Sequence, residues 1–309
     1  MIKTFTVASR ASKLAVIQSE SIINALSQKY PDVKFELKLI TTEGDKDQRT
    51  VLWDLKSSGF FTSQVEDALI SGQADLAVHS FKDLPTEMRG PLMVAAVCKR
   101  NFPEDCLVAG DGIGSIEQLP QAARIGTSSL RRAVQIKRLR SDLRMMPIRG
   151  NVPTRVRLLR EGKYDAVVLA RAGLERLGLG KEISFCFEPE EFIPAPAQGA
   201  LAVQTRAADT ELNKLVGGLD DKASRIEAFA ERQILVTTKC GCHAPVGAFA
   251  KVNGGSIRIC AFISDADGAN FIRREIAGPA AEAQKLGEKI ANEMLDAGGR
   301  EILEKIEER

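Results

Sequence analysis

The sequence predicts an α/β protein of two similar lobes followed by a smaller α+β domain. Three observations predict it. Short apolar runs alternate with segments of helical apolar spacing, as in parallel sheets covered by helices. That alternation runs once from residue 4 to residue 79 and starts again at residue 123. After about residue 220 it gives way to strand-like runs joined by turn residues. The 309 residues suffice for two or three domains, and a 44% hydrophobic content supplies large cores.

Thr4 to Ala8 reads as a buried strand, and Lys13 to Tyr30 as a helix with Leu14, Ile17, Ile22, Ala25 and Leu26 on one side. Phe35 to Ile40 is a strand. Thr62 to Ile70 is a helix stopped by Gly72, and Ala74 to His79 is a strand running into a polar loop. The second round has a strand end at Ala123 to Gly126, a helix at Ser129 to Leu139 and a strand at Arg144 to Ile148. A helix follows at Val152 to Gly162, with Pro153 in its first turn, then a strand at Ala166 to Ala170. The last region offers strands at Ala244 to Ala250, Ile257 to Ile263 and Asn270 to Ala277. Asn253-Gly254-Gly255 and Asp265 to Gly268 supply the turns. Ala280 to Ile306 is helical, interrupted near Gly298-Gly299.

The net charge of +2 does not demand a nucleic acid or an acidic membrane. Its distribution is uneven: Arg124 to Arg160 carries ten arginines and one lysine against the single acid Asp142, with no aromatic residue. Single-strand nucleic-acid grooves add aromatic stacking platforms, so this segment suits anion binding without base stacking. A solvated basic helix face accounts for some of these arginines equally well. The six cysteines are irregularly spaced, which fits reduced thiols in a cytosol rather than a disulfide framework. No signal peptide and no apolar run long enough to cross a bilayer is expected.

In open α/β sheets ligands bind beyond the carboxyl ends of the strands. Here those ends carry Ser9, Arg10 and Ser12, then Ser80, Lys82 and Asp83. Thr127, Ser128, Ser129, Arg131 and Arg132 follow, then Arg149, Gly150, Asn151 and Arg155. Each group joins hydroxyls or backbone N–H groups to a cation, the recipe for carboxylate or phosphate binding. A polyanionic small ligand between two lobes is expected. Asp83 suits stabilisation of a cationic intermediate or a hydrogen bond to a ring nitrogen, and equally suits a plain ion pair.

His79 ends an apolar strand and reads as structural. Cys240, Cys242 and His243 offer three metal ligands, but a closed zinc site spreads its ligands over two spaced pairs, and no metal is expected. Cys98, Cys106, Cys186 and Cys260 lie in or beside apolar stretches, where thiols are inert. Cys242 sits on a glycine-flanked loop before Pro245, where a cationic cleft would favour its thiolate. A two-lobed anion receptor explains the arginines but not Cys242. A basic nucleic-acid binder explains Arg124 to Arg160 alone.

Seven ordered motifs resemble one family. They are Ala8-Ser9-Arg10-x-Ser12-x-Leu14-Ala15, Ala77-Val78-His79-Ser80-x-Lys82-Asp83-Leu84-Pro85, Gly126-Thr127-Ser128-Ser129-Leu130-Arg131-Arg132 and Arg149-Gly150-Asn151-Val152-x-Thr154-Arg155. Ala172-Gly173-Leu174-x-Arg176-Leu177-Gly178, Pro196-Ala197-Gln198-Gly199-Ala200 and Gly241-Cys242-x-x-Pro245-x-Gly247 complete the set. Nearly end to end, the chain resembles the hydroxymethylbilane synthases, also called porphobilinogen deaminases.

The resemblance implies an α/β fold of two periplasmic-binding-protein-like lobes with mixed, largely parallel sheets, plus a smaller α+β C-terminal domain with a three-stranded antiparallel sheet. Residues 1–98 and 198–217 would form lobe 1, 99–197 lobe 2, and 218–309 the C-terminal domain. It implies a cytoplasmic, monomeric transferase of heme biosynthesis. Such an enzyme joins four porphobilinogen molecules head to tail with loss of ammonia, giving 1-hydroxymethylbilane. The chain grows on a dipyrromethane cofactor attached through a thioether, here to Cys242. Asp83 matches the catalytic acid. Lys82, Ser80, Ser129, Arg131, Arg132, Thr127, Ser128 and Gly150 match cofactor-binding positions. Arg10, Ser12, Gln18, Phe61, Arg149, Arg155, Arg176 and Gln198 match substrate-binding positions. The run Lys56-Ser57-Ser58-Gly59-Phe60-Phe61 departs from the family by placing Ser58 where a lysine is usual. Arg171 is an extra charge without an assigned role.

Overall fold

The computed structural model describes residues 3–42, 62–240 and 244–307. The described residues fall into two compact units. The first holds the N-terminal part up to Asn101 together with Gly199–Arg225, and the second holds Phe102–Gln198 and Ile226–Arg309.

In the first unit, strands β1 (Lys3–Arg10), β2 (Val33–Ile40), β3 (Leu76–Ser80), β4 (Leu92–Val97) and β10 (Leu201–Arg206) form one sheet in the order β2-β1-β3-β10-β4. β1 is parallel to β2 and β3, whereas β10 runs antiparallel to β3 and β4. The sheet is therefore mixed. Helix α1 (Lys13–Lys29) follows β1, and Ser12 caps it by accepting from the Ala15 amide. α2 (Ser63–Ile70) covers the opposite face, where Val65, Ala68 and Leu69 meet Ala8 and Ala77. On the α1 face, Ile22 and Leu26 pack on Phe5, Val7, Leu76 and Val78.

The second unit repeats the plan. β5 (Asp105–Ala109), β6 (Arg124–Gly126), β7 (Arg144–Met146), β8 (Ala166–Ala170) and β9 (Phe185–Cys186) lie in the order β7-β6-β8-β5-β9. β6 is parallel to β7 and β8, and β5 is antiparallel to β8 and β9. Helices α3 (Leu130–Leu139), α4 (Val152–Arg160) and α5 (Arg171–Arg176) follow β6, β7 and β8. α6 (Thr210–Gly217) belongs to the first unit and packs Leu212 and Val216 into its core.

The rest of the second unit is a three-stranded antiparallel sheet, β11 (Val246–Asn253), β12 (Ser256–Ser264) and β13 (Phe271–Pro279). α7 (Lys222–Thr238), α8 (Ala283–Met294) and α9 (Arg300–Glu307) supply Ala230, Ile234, Ile290, Met294 and Leu303 to its core. The expected break in the C-terminal helix falls at Gly298, whose φ of 105° leaves the helical region. α7 was not read from periodicity, and neither were β4, β5 and β10. Val134 and Ile193 share a cluster with Phe249, Cys260 and Phe262. That cluster joins the arginine-rich lobe and the antiparallel domain into one compact unit. The α/β class, the mixed sheets and the antiparallel C-terminal sheet are thus present.

Candidate active site

In the first unit the ends of β1 and β3 open on a pocket lined by Arg10, Ser12, Gln18, His79, Ser80 and Asp83, among others. β1 and β3 run parallel and adjacent, so both chain ends deliver their polar residues to one edge. Gln18, on the buried side of α1, exchanges hydrogen bonds with the Ser80 hydroxyl at 2.9 and 3.3 Å. Lys82 and Asp83 sit on a single 3₁₀ turn, with Phe81 fully buried beneath them. Burying Phe81 fixes the turn and leaves Asp83 exposed at the pocket. His79 is held down to about 4 by burial, against a bond to Gln204 and with Arg10 nearby. It is neutral and, as expected from sequence, part of the interior.

In the second unit the corresponding strand ends carry the arginines. Thr127 and Ser128 follow β6 and are buried. The Ser128 hydroxyl donates to the Ile148 carbonyl at 2.6 Å and accepts from the Ile148 amide at 2.9 Å, so it ties together the loops after β6 and β7. Thr127 Oγ1 accepts from the Ser129 amide. Ser129 is the α3 N-cap residue, yet its side chain makes no capping bond.

Arg131 and Arg132 lie on the buried side of α3 and converge on Asp105, the first residue of β5. Arg131 Nη1 is 2.7 Å from Asp105 Oδ2, and Arg132 Nη2 is 2.7 Å from Oδ1. Arg131 also donates to the Ile193 carbonyl and Arg132 to the Val168 carbonyl. Gln198 donates to Asp105 Oδ1 at 3.0 Å. Burial alone would raise the Asp105 carboxyl, but the two guanidiniums outweigh it and hold it well below the usual carboxylate range. Arg131 is itself lowered, by burial first and by Arg132, against the pull of Asp105. One acid facing two guanidiniums explains both directions: the carboxylate is over-compensated and Arg131 is under-compensated. Asp105 was not among the residues expected from sequence. An acid opening an apolar run shows no partner until β5 is placed beside β8 and α3.

Arg149 and Arg155 flank Gly150, whose φ of 97° is in the left-handed region. Asn151 caps α4 by accepting from the Thr154 amide, and Arg155 Nε donates to the Gly150 carbonyl. Arg155 is lowered to about 10, by burial first and then by Arg132 and Arg149. Arg149 Nε is buried with no hydrogen-bond partner among the described residues. Arg176 ends α5 and is half-buried. Arg171, the unassigned charge, is closed off by Glu104 and Glu175 at 2.7 and 2.9 Å and stacks on Phe102. Cys242 and Phe61 lie outside the described residues, as do Ser58 and His243.

Arg131 and Arg132 therefore share one buried acid, Asp105, while Arg155 lies close enough to Arg132 and Arg149 for their charges to lower it. Crowded guanidiniums, of which Arg131 and Arg155 have lowered proton affinity and Arg149 an orphaned N–H, fit a ligand bearing several carboxylates. Dipyrromethane, which carries acetate and propionate arms, has that chemistry.

A family profile described as "Porphobilinogen deaminase, dipyromethane cofactor binding domain" matches residues 5–214, and the same family's C-terminal domain matches residues 225–296. A porphobilinogen deaminase of Roseiflexus castenholzii is 44% identical over 98% of this chain and 99% of its own. That of Stenotrophomonas maltophilia is 41% identical over 98% and 99%. Among solved structures, the probable amino-acid-binding protein ytmK of Bacillus subtilis is 14% identical with a TM-score of 0.42, covering 71% of this chain and 90% of that one. The sulphonate-binding protein SsuA of Escherichia coli is 15% identical with a TM-score of 0.41, covering 77% and 70%. With both of its domains matched and its relatives aligned nearly end to end, the chain belongs to the porphobilinogen deaminase family.

Proposed function

We propose that this chain joins four porphobilinogen molecules head to tail on a dipyrromethane primer, releasing ammonia each time, to give 1-hydroxymethylbilane. The observation that carries the reading is the guanidinium cluster, whose surplus charge an oligocarboxylate neutralises, in a chain of this family. In each condensation the bond between the aminomethyl carbon and its nitrogen breaks. A carbon–carbon bond forms to the accepting pyrrole, and the proton displaced from that pyrrole leaves with ammonia as ammonium; release of the four-ring chain takes up one water, whose hydroxyl becomes that of 1-hydroxymethylbilane while its proton replaces the chain on the accepting pyrrole carbon. When bound, dipyrromethane supplies the accepting pyrrole for the first addition.

The chain's own residues divide the work. Asp83 stabilises the positive charge that develops as ammonia departs and accepts from pyrrole N–H groups. Arg10, Lys82, Ser12, Ser80, Gln18 and Phe61 orient the incoming substrate. Arg131, Arg132, Arg149, Arg155 and Arg176 hold acetate and propionate arms, with Thr127, Ser128, Ser129, Gly150 and Gln198 shaping their loops. Cys242 anchors the cofactor through a thioether. We carry the three-domain division into this reading: 1–98 with 198–217 bears Asp83, 99–197 the arginines, and 218–309 Cys242. The enzyme works as a cytoplasmic monomer on a small molecule, without a nucleic-acid or membrane partner. Among the described residues no helix is long and apolar enough to cross a membrane.

Intact mass spectrometry tests the reading. Protein from cells that make porphobilinogen should weigh more than its sequence by two linked pyrroles, and Cys242→Ser should abolish the excess. Asp83→Ala should keep the fold and nearly stop turnover. An unmodified, inactive wild-type chain would overturn the proposal.

A further inference from the structure

Behind the first-unit pocket lies a buried polar chain that the reaction outlined above does not use. His79 is 6% exposed and lines the pocket beside Arg10, Ser80 and Asp83. Its Nε2 is 3.0 Å from Gln204 Oε1, and Gln204 Nε2 donates to Glu66 Oε1 at 2.9 Å. Gln204 and Glu66 are fully buried, and Arg89 approaches the other Glu66 oxygen at 3.9 Å. The Gln204 amide turns its NH2 toward Glu66, whose carboxyl burial raises, and its oxygen toward His79. That oxygen only accepts, so His79 carries its proton on Nε2. The groups facing the ring are Arg10 from β1, Asp83 from the turn after β3, and Glu66 and Arg89 through Gln204. The cation and the burial both disfavour a second proton. With the proton on Nε2, the ring's lone pair lies on Nδ1, and the bond to Gln204 runs through Nε2.

We propose that His79 orients the substrate: its Nδ1 accepts a hydrogen bond from an N–H group of the pyrrole bound beside Asp83. The inference rests on the porphobilinogen reading of this pocket. Arg10, Ser12 and Gln18 offer donors that match the substrate's carboxylates. Acceptors are scarcer, and the substrate brings N–H donors on its ring and on its aminomethyl group. A neutral acceptor takes one of them without adding a positive charge that would repel the ammonium. Gln204 and Glu66 act at one remove, by fixing the tautomer.

The test is His79→Gln, whose amide reaches the Nε2 position and keeps the Gln204 bond but has no acceptor at Nδ1. Loss of one hydrogen bond to substrate should lower kcat/KM by about tenfold to a hundredfold, with the melting temperature and the cofactor mass unchanged. A variant as active as an active wild type overturns the inference. A wild type that does not consume porphobilinogen overturns the functional reading instead. Long-range ¹⁵N NMR gives a second check on the wild-type protein, which has only two histidines. An unprotonated Nδ1 that shifts when a pyrrole diacid lacking the aminomethyl group is added supports the proposal. A proton on Nδ1, or no shift at saturation, refutes it.

Discussion

Replacing Asp105 by Ala should be the most damaging single change in the arginine-rich lobe. The Asp105 side chain is fully buried, and those of Arg131 and Arg132 are 6% and 8% exposed. Removing one partner of a buried ion pair costs about 3–5 kcal/mol, because the remaining charge stays buried without compensation. Here two guanidiniums and the Gln198 amide lose the same acceptor, so the cost lies toward the upper end, ~5 kcal/mol. For a unit of this size each kcal/mol shifts the melting temperature by about 2–4 °C, which gives a loss of about 10–20 °C. Asp105→Asn keeps an oxygen for Arg132 or Gln198 and should fall about halfway. The pH dependence carries the sign. Asp105 has a lower proton affinity folded than unfolded, so its contribution is complete above the ordinary carboxylate range and fades as pH falls below about 4. Thermal melts of wild type and Asp105→Asn should therefore differ by a constant amount from pH 7 to 5 and converge in acid. An Asp105→Ala protein melting within 2 °C of wild type at pH 7 would refute the reasoning.

Gly150→Ala meets two penalties. Its φ of 97° disfavours a Cβ, and that Cβ would lie 2.6 Å from Thr154 Cγ2. A cost of at least about 1–2 kcal/mol is expected from the backbone alone, with slowed turnover as the loop carrying Arg149 and Arg155 shifts; an unchanged melt would count against it. Arg149→Met should stabilise the cofactor-free protein by about 1 kcal/mol, by removing a like charge and an orphaned N–H. Citrate should then raise its melting temperature less than that of wild type. Glu231 is fully buried and accepts from the Ala197 amide at 2.6 Å and the Ala250 amide at 2.7 Å. Glu231→Ala orphans both, so a loss of about 2–6 kcal/mol is expected in denaturant titrations.

What could be read from sequence is what one face of an element decides. β12 is a compact apolar run bounded by turn residues and was read to within a residue at each end, and Ser12 and Asn151 cap the helices that follow them. The strand-end clusters were legible because parallel neighbours deliver their carboxyl ends to a common edge. α7 was not, because its buried side includes Glu227, Glu231 and Arg232, which blur the apolar stripe. β10 hides for a similar reason: Gln204 and Thr205 are buried within it. Asp105, Gln204 and Glu66 share one difficulty. Each is a buried polar residue whose partner is far away in sequence, and local periodicity carries no information about such pairs.

On the proposed reading, the repeated topology explains how two like lobes would do unlike work. β1 and β6 occupy the same place in their sheets, as do β3 and β8, and the antiparallel fourth strands are β10 and β5. β1 ends in Ser9 and Arg10, with Ser12 beyond it; after β6 come Thr127, Ser128 and Ser129, then Arg131. The same backbone thus presents hydroxyls and cations at both edges. The difference arises after the third position. In the first lobe β3 leads to a 3₁₀ turn that leaves Asp83 exposed at the pocket. In the second, β8 leads to Arg171, which two glutamates neutralise, while Asp105 is buried beneath two arginines. An acid that must meet reacting atoms has to stay accessible. An acid that only sets the spacing of guanidiniums is more effective buried, where the field between them is less screened. The second lobe therefore keeps its acid out of reach and presents a surplus of positive charge, and the first keeps its acid at the surface of the pocket. That division suits chemistry on one lobe and retention of a polycarboxylate on the other.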